Sequence, residues 1–242
     1  SSQGRRRFGH GCWPVTPLVE ALMIRASGRK FNVQLKQQLQ NAAQVDQFCT
    51  ELAELLEAEV REGRTPVFDD FDVSQTRIHA EAFEEIFLHL IISEAKIDRF
   101  KAFGCPAFND AAATSMAEWL SQASGEAMPC ELHLSDCSIT ARGFGELATA
   151  LEENEALPVA DPQHAEKMVP VYVRLERNFI DEAAINQRKA VGAMVTWRKT
   201  DPIPQDPAVK WRLVVWDAGQ LGQRRGSPPV APRSMEPSKG TG

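Results

Sequence analysis

The 242-residue chain has no apolar run of 18 or more residues, and without one there is no candidate membrane-spanning helix. The apolar stretch 87–92 is too short to span and fits a helix of a smaller unit. No secretory leader is visible; the chain begins with Ser rather than Met and reads as a fragment or a processed product. Neither G-x-x-x-x-G-K-[ST] nor G-x-G-x-x-G is present, so the common phosphate-cradling loops are missing. Cysteine is sparse and odd in number: Cys12, Cys49, Cys105, Cys130 and Cys137. Scattered through apolar contexts, they read as reduced, buried thiols rather than a disulfide framework. The expected location is therefore inside the cell, in the cytoplasm, with the nucleus left open.

Hydrophobic residues make up 43% of the chain, enough for one domain of about 150 residues plus tails. The net charge of −6 is unevenly spread: residues 1–30 carry +5, residues 217–242 carry +2, and the body between them carries −13. An acidic body repels nucleic acid and acidic membrane surfaces. The basic ends leave room only for weak, salt-sensitive nucleic-acid contacts.

A spaced pattern recurs. It reads Phe71-x-Val73-x-x-Thr76-x-Ile78, then Leu132-x-Leu134-x-x-Cys137-x-Ile139, then Val173-x-Leu175-x-x-Asn178-x-Ile180. Each copy opens with the two-residue alternation of a half-buried strand. Apolar residues at helical spacing come next, Phe144, Leu147 and Leu151 in one copy, Phe83 and Ile86 in another. A weaker copy runs through Phe100, Ala102 and Cys105, with Phe108 one residue late, then Met116 and Leu120. The starts lie 29, 32 and 41 residues apart, and the last gap holds a polar insert at 158–168, expected as a loop. Tandem strand–turn–helix units imply a solenoid, because no single unit can bury its own apolar face.

The copy from Leu132 through Cys137 and Ile139 to Gly143 and Phe144 resembles a leucine-rich repeat of the ribonuclease-inhibitor-like type. Phe at 71 and 100 and Thr at 76 depart from its pattern. The resemblance covers about residues 65–190, half the chain. It implies an α/β solenoid with parallel strands on a concave face and helices on a convex face. It also implies an inward Asn or Cys that satisfies the turn's backbone, and a short arc of about four units. The amphipathic helix with Val45, Phe48, Leu52, Leu55, Leu56 and Val60 on one face, ended by Gly63, is expected to be its N-terminal cap.

Beyond the repeats, residues 1–30 are expected to be basic and mostly disordered, with a short helix within 17–30. Residues 31–40 are ambiguous between strand and polar helix. The repeat domain is set at 31–200 and a Pro/Gly-rich tail at 201–242. That tail holds one strand-like run, 211–216, and is disordered from 219. Residues 193–197 read as a final strand.

Candidate chemistry is thin. Cys130, His133 and Cys137 form a partial zinc set, but zinc needs about four ligands and the repeat turns Cys137 inward. A Cys137/His133 nucleophile pair would need an exposed thiol in an electropositive pocket. The adjacent acids Asp69/Asp70 and Glu84/Glu85 read as solvated surface. The Arg5–Arg7 run beside Phe8 and Trp13 reads as a solvated basic tail. No acid, base and nucleophile converge, so the chain is expected to be neither an enzyme nor a carrier of metal or cofactor.

The resemblance instead points to the concave face. The residue between two strand apolars faces outward there, which selects Asp72, Lys101, His133 and Arg174, flanked by Asp70, Phe103, Ser135 and Glu176. The expected function is a non-catalytic protein-binding scaffold or adaptor with another protein as partner and no membrane contact. The alternative is a regulatory or targeting fragment of a larger, RNA-associated protein.

Overall fold

The computed structural model describes residues 23–162, 164–215 and 221–228. Its elements run in the order β1 (Ile24–Ser27), β2 (Lys30–Gln34), α1 (Ala42–Arg61), β3 (Val67–Asp72), α2 (Ala80–Ile92), β4 (Lys96–Ile97), β5 (Arg99–Lys101), α3 (Asp110–Gln122) and β6 (Glu131–His133). Then come α4 (Ala141–Glu153), β7 (Val159–Asp161), β8 (His164–Val169), β9 (Val171–Arg174), α5 (Glu182–Val191), β10 (Met194–Trp197) and β11 (Trp211–Val214). Among the described residues this is a mixed α/β chain with one mostly parallel sheet, five helices and no closed barrel.

The main sheet has the order β1-β2-β3-β5-β6-β9-β11-β10, with β4 beside β3. Only β1 runs antiparallel, against β2. Val33, Phe71, Phe100, Leu132, Val173 and Leu213 stand in register on adjacent strands. All six are buried on the face that the helices cover. Phe71 stacks on Phe100 with ring centroids 5.5 Å apart. Each helix packs against the next, and strands and helices share one apolar cluster. Parallel neighbours cannot be joined by a tight turn: helices α1 to α5 make the crossovers after β2, β3, β5, β6 and β9, and the irregular segment 198–210 joins β10 to β11.

The turns after the strands repeat in detail. The ladder extends past each strand end through Val73 N–H to Lys101 O (2.9 Å), Ala102 N–H to His133 O (3.0 Å) and Leu134 N–H to Arg174 O (2.9 Å). The chain then passes through the left-handed region at Gln75 (φ 57°), Gly104 (φ 70°), Asp136 (φ 58°) and Arg177 (φ 56°). The next residue points inward. Cys105 Sγ donates to Val73 O (3.2 Å), Cys137 Sγ to Ala102 O (3.2 Å) and Asn178 Nδ2 to Leu134 O (2.8 Å). In the first of these turns Thr76 Oγ1 donates within its own loop to Val73 O (2.7 Å). These side chains satisfy carbonyls that no strand or helix reaches, as buried backbone requires.

Each helix opens on a side-chain cap: Asn41, His79, Asn109, Thr140 and Asp181 accept backbone N–H groups of their first turns. Gly143 lets α4 meet α3 closely. A Cβ there would lie 2.6 Å from Asp110 Oδ1 and 3.0 Å from Asp110 Cα. Asp110 in turn accepts from Thr140 N–H (2.8 Å) and Oγ1 (2.6 Å), which pins the two helix starts together.

Several expectations are corrected. The described part of the expected 17–30 helix holds strand β1; 31–40, left open between strand and helix, opens on strand β2. Helix α1 is not an end cap: it connects β2 to β3 and packs on α2, while the antiparallel β1 closes that edge. Val60, expected on its buried face, is 48% exposed. The insert at 158–168 is not a loop; β7 and β8 pair there as an antiparallel hairpin. The strand-like run at 211–216 supplies β11, an interior strand between β9 and β10. Of the tail expected to be disordered, 221–228 is described and bonded to the turn after β9, through Arg177 N–H to Leu221 O (3.4 Å) and Arg224 N–H to Asn178 O (2.6 Å). The remaining expectations for residues 1–22 and 229–242, including the Arg5–Arg7 run and Cys12, lie outside the described residues.

Candidate functional site

Side chains alternate across a strand, so the neighbours of the buried row face away from the helices. Asp72, Lys101, His133 and Arg174 occupy one register on β3, β5, β6 and β9. All four are half-buried rather than free in solvent. The sheet face therefore presents a row of polar groups whose positions the backbone ladder sets.

Those groups are tied to one another. Lys101 Nζ lies 2.7 Å from Asp70 Oδ1. Asp72 Oδ1 accepts the N–H of Ser74 (2.9 Å), a local turn that holds its carboxylate against the strand end. Phe103 stacks on the His133 ring at 5.3 Å between centroids. Arg174 donates through Nε (2.9 Å) and Nη2 (2.8 Å) to Glu176 Oε1, while Ser135 Oγ donates to Glu176 Oε2. Ser135 and Glu176, expected on the open strip, are buried. Their neighbours Leu175 and Arg177 bond to the segment after β11, through Gln223 Nε2 to Leu175 O (2.9 Å) and Arg177 N–H to Leu221 O.

Electrostatics are set by this packing. Burial alone would raise the Glu176 carboxyl, but hydrogen bonds from Arg174 and Ser135 outweigh it, and the group sits below its ordinary value. His133 is pushed down to about 4, first by burial and then by the Arg174 charge. Its Nε2 is buried with no hydrogen-bond partner among the described residues. A neutral imidazole on an aromatic ring is the form this environment favours.

The sequence reading missed an aromatic cluster on the same face. Arg212 lies 4.8 Å over the Trp197 ring and 5.6 Å from that of Tyr172, and the two rings meet edge-on at 6.0 Å. Tyr172 and Arg212 are register partners on β9 and β11. Alternation within 171–174 and 211–214 would have marked both as outward, but only with the knowledge that β11 is next to β9. At the opposite ends of the strands, the β7–β8 hairpin borders an open cleft of about 830 Å³. Lys30, Asp69, Asp98, Arg99 and Met168 are among its lining residues.

The partial zinc set is dispersed into other roles. Cys130 Sγ donates to Asp98 O (3.1 Å), Cys137 bonds Ala102 O inside the core, and His133 stacks on Phe103. Burial pushes the Cys130 thiol up to about 11 and Cys137 well above the usual thiol range, which disfavours the thiolate that metal binding and nucleophilic attack both need. Asp69 pairs with Lys30 and Glu85 lies 3.7 Å from His89. Compared with protein-family models and with curated proteins, the chain matches none.

Proposed function

We propose that the chain is a short ribonuclease-inhibitor-like leucine-rich-repeat arc that binds another protein through the uncovered face of its sheet and catalyses nothing. The parallel strands β3, β5, β6 and β9, each succeeded by a left-handed turn residue and then a helix, support the repeat reading. So do the inward Cys and Asn side chains that bond one strand back. The antiparallel β1 and the insertion of β11 between β9 and β10 are departures from a plain array.

One observation carries the binding reading: Asp72, Lys101, His133 and Arg174 stand at a single register on a face that no helix covers among the described residues. Asp70, Phe103 and Glu176 hold Lys101, His133 and Arg174 in place before any partner arrives, and the Ser74 N–H holds Asp72. A face ordered in advance loses less side-chain entropy on binding. The partner that fits is a protein surface of mixed charge with an aromatic or aliphatic anchor for the Tyr172–Arg212–Trp197 end. An isolated 211–216 run would favour the alternative, a fragment with its working domain elsewhere, but β11 lies inside the sheet and removes that ground.

Affinity purification tests the reading. Phe103→Ser combined with Asp72→Asn alters the face without unpairing a buried charge, and Glu153→Lys on α4 serves as the control. Proteins retained by the wild type and by the control, but lost from the double variant at unchanged melting temperature, support the sheet face. Retention by the double variant moves the interface elsewhere.

A further inference from the structure

We propose that the outer surface of α1 and α2 is a second docking site, one that takes a basic amphipathic helical segment of another protein. Helix α2 directs Ala82, Phe83, Ile86, Phe87 and Leu90 into the core. Leu88 and Ile92 take no part in that packing: they are 55% and 66% exposed, one turn apart on the outer side. Val60, in the last turn of the adjoining α1, adds a third exposed aliphatic. Large aliphatics scattered singly on a surface need no explanation, but an i, i+4 pair on one helix makes a continuous ridge.

The ridge is set in negative charge. Glu84 and Glu85 precede Leu88 by one turn and Glu81 by two, and all three are exposed. Helix α1 adds exposed Glu54 and Glu57. Among the exposed side chains of the two helices, Arg61 is the one Lys or Arg. This combination selects the occupant. An apolar stripe answers the ridge, and flanking Lys and Arg answer the carboxylates, which is the pattern of a basic amphipathic helix. A second copy of this chain would bring like charge against like charge around the same ridge. Nucleic acid and anionic lipid surfaces are repelled by the same field. The site shares no residue with the sheet face and stands or falls separately from it.

The test uses fluorescence anisotropy with a labelled Leu/Lys peptide arranged as an amphipathic helix, and a scrambled isomer of identical composition. The ordered peptide is expected to bind the full chain about tenfold more tightly than the scrambled one. Leu88→Gln combined with Ile92→Gln is expected to remove that advantage at unchanged melting temperature, since neither side chain is in the core. Glu84→Gln combined with Glu85→Gln should flatten the salt dependence. Equal binding of both peptides, no binding, or full affinity in the Leu88/Ile92 variant overturns the proposal. Self-association of the wild type that is abolished in that variant overturns it in favour of a second copy.

Discussion

Asn178 bonds one strand back to Leu134: its Nδ2 donates to the Leu134 carbonyl at 2.8 Å, and its Oδ1 accepts the N–H of Ile139 at 3.1 Å. Asn178 is fully buried, so it joins the turn after β9 to the turn after β6 where water cannot. Cys137 and Cys105 make the same one-strand reach with a weaker S–H donor.

Asn178→Ala therefore orphans a buried carbonyl and a buried N–H. The Leu175 carbonyl keeps its bond from Gln223. At roughly 1–3 kcal/mol per stranded group, the expected loss is about 3 kcal/mol, read from urea unfolding. Cys137→Ala should cost less, about 1 kcal/mol, because a thiol is a poor donor. Equal losses would show that the bonds back to the preceding strand are not what holds this turn.

Arg174 donates through Nε and Nη2 to one oxygen of Glu176, and the carboxylate is almost fully covered. Arg174→Ala leaves that charge without its partner and is expected to destabilise the fold by about 3–5 kcal/mol at neutral pH. Glu176 lies below its ordinary value in the folded protein. Its contribution is thus present above the unfolded pKa and is lost as pH falls through the folded one. The difference between wild type and Arg174→Ala should shrink as pH falls, because the stranded carboxyl, raised by burial once its Arg174 bonds are gone, takes a proton before the wild-type group does. A difference that does not change with pH would mean that Arg174 contributes packing alone.

His133 gives a second handle of the same sign. Its folded pKa of about 4 lies below the ordinary 6.5, so between these values the unfolded chain binds a proton that the folded chain does not. Stability should fall as pH drops through this window, by about 2 kcal/mol once the ring's partial exposure is allowed for. His133→Phe keeps a ring against Phe103 and removes the titration. Its stability curve is expected to be flatter than the wild type's between pH 6.5 and 4. Parallel curves would rule out this coupling.

Strand β10 hydrogen-bonds within the sheet to β11, and β11 buries Trp211, Leu213 and Val214. A chain cut after residue 200 loses all three. Each buried side chain of this size contributes about 1.5–3 kcal/mol, which is comparable in sum to the whole stability of an ordinary domain. Residues 23–200 are expected to lose cooperative melting and near-ultraviolet dichroism, whereas 23–228 should keep both.

The repeat spacing was legible because it is local. Phe71, Leu132 and Val173 each stand at the same offsets from the apolar residues of their own turn and helix, and the structure puts them in one row with Phe100 between the first two. The outward set Asp72, Lys101, His133 and Arg174 came from alternation alone. Ser135 and Glu176 did not, since their burial depends on contacts that alternation does not encode. Helix α1 looked like a cap because β2 is short and gives way at once to a Gln-rich turn.

Composition and period determined the succession of strands and helices, which residues line the shared interior, and the acidic character of the body. Backbone dihedrals and side-chain alternation act over a few residues, and a single sequence displays them directly. Only the tertiary structure decided that β11 enters between β9 and β10, that β1 turns back to close the other edge, and that Tyr172, Trp197 and Arg212 meet on one face. Those outcomes depend on hydrogen-bond partners and ring contacts between segments distant along the chain, where strand pairing selects among alternatives that local pattern leaves equal.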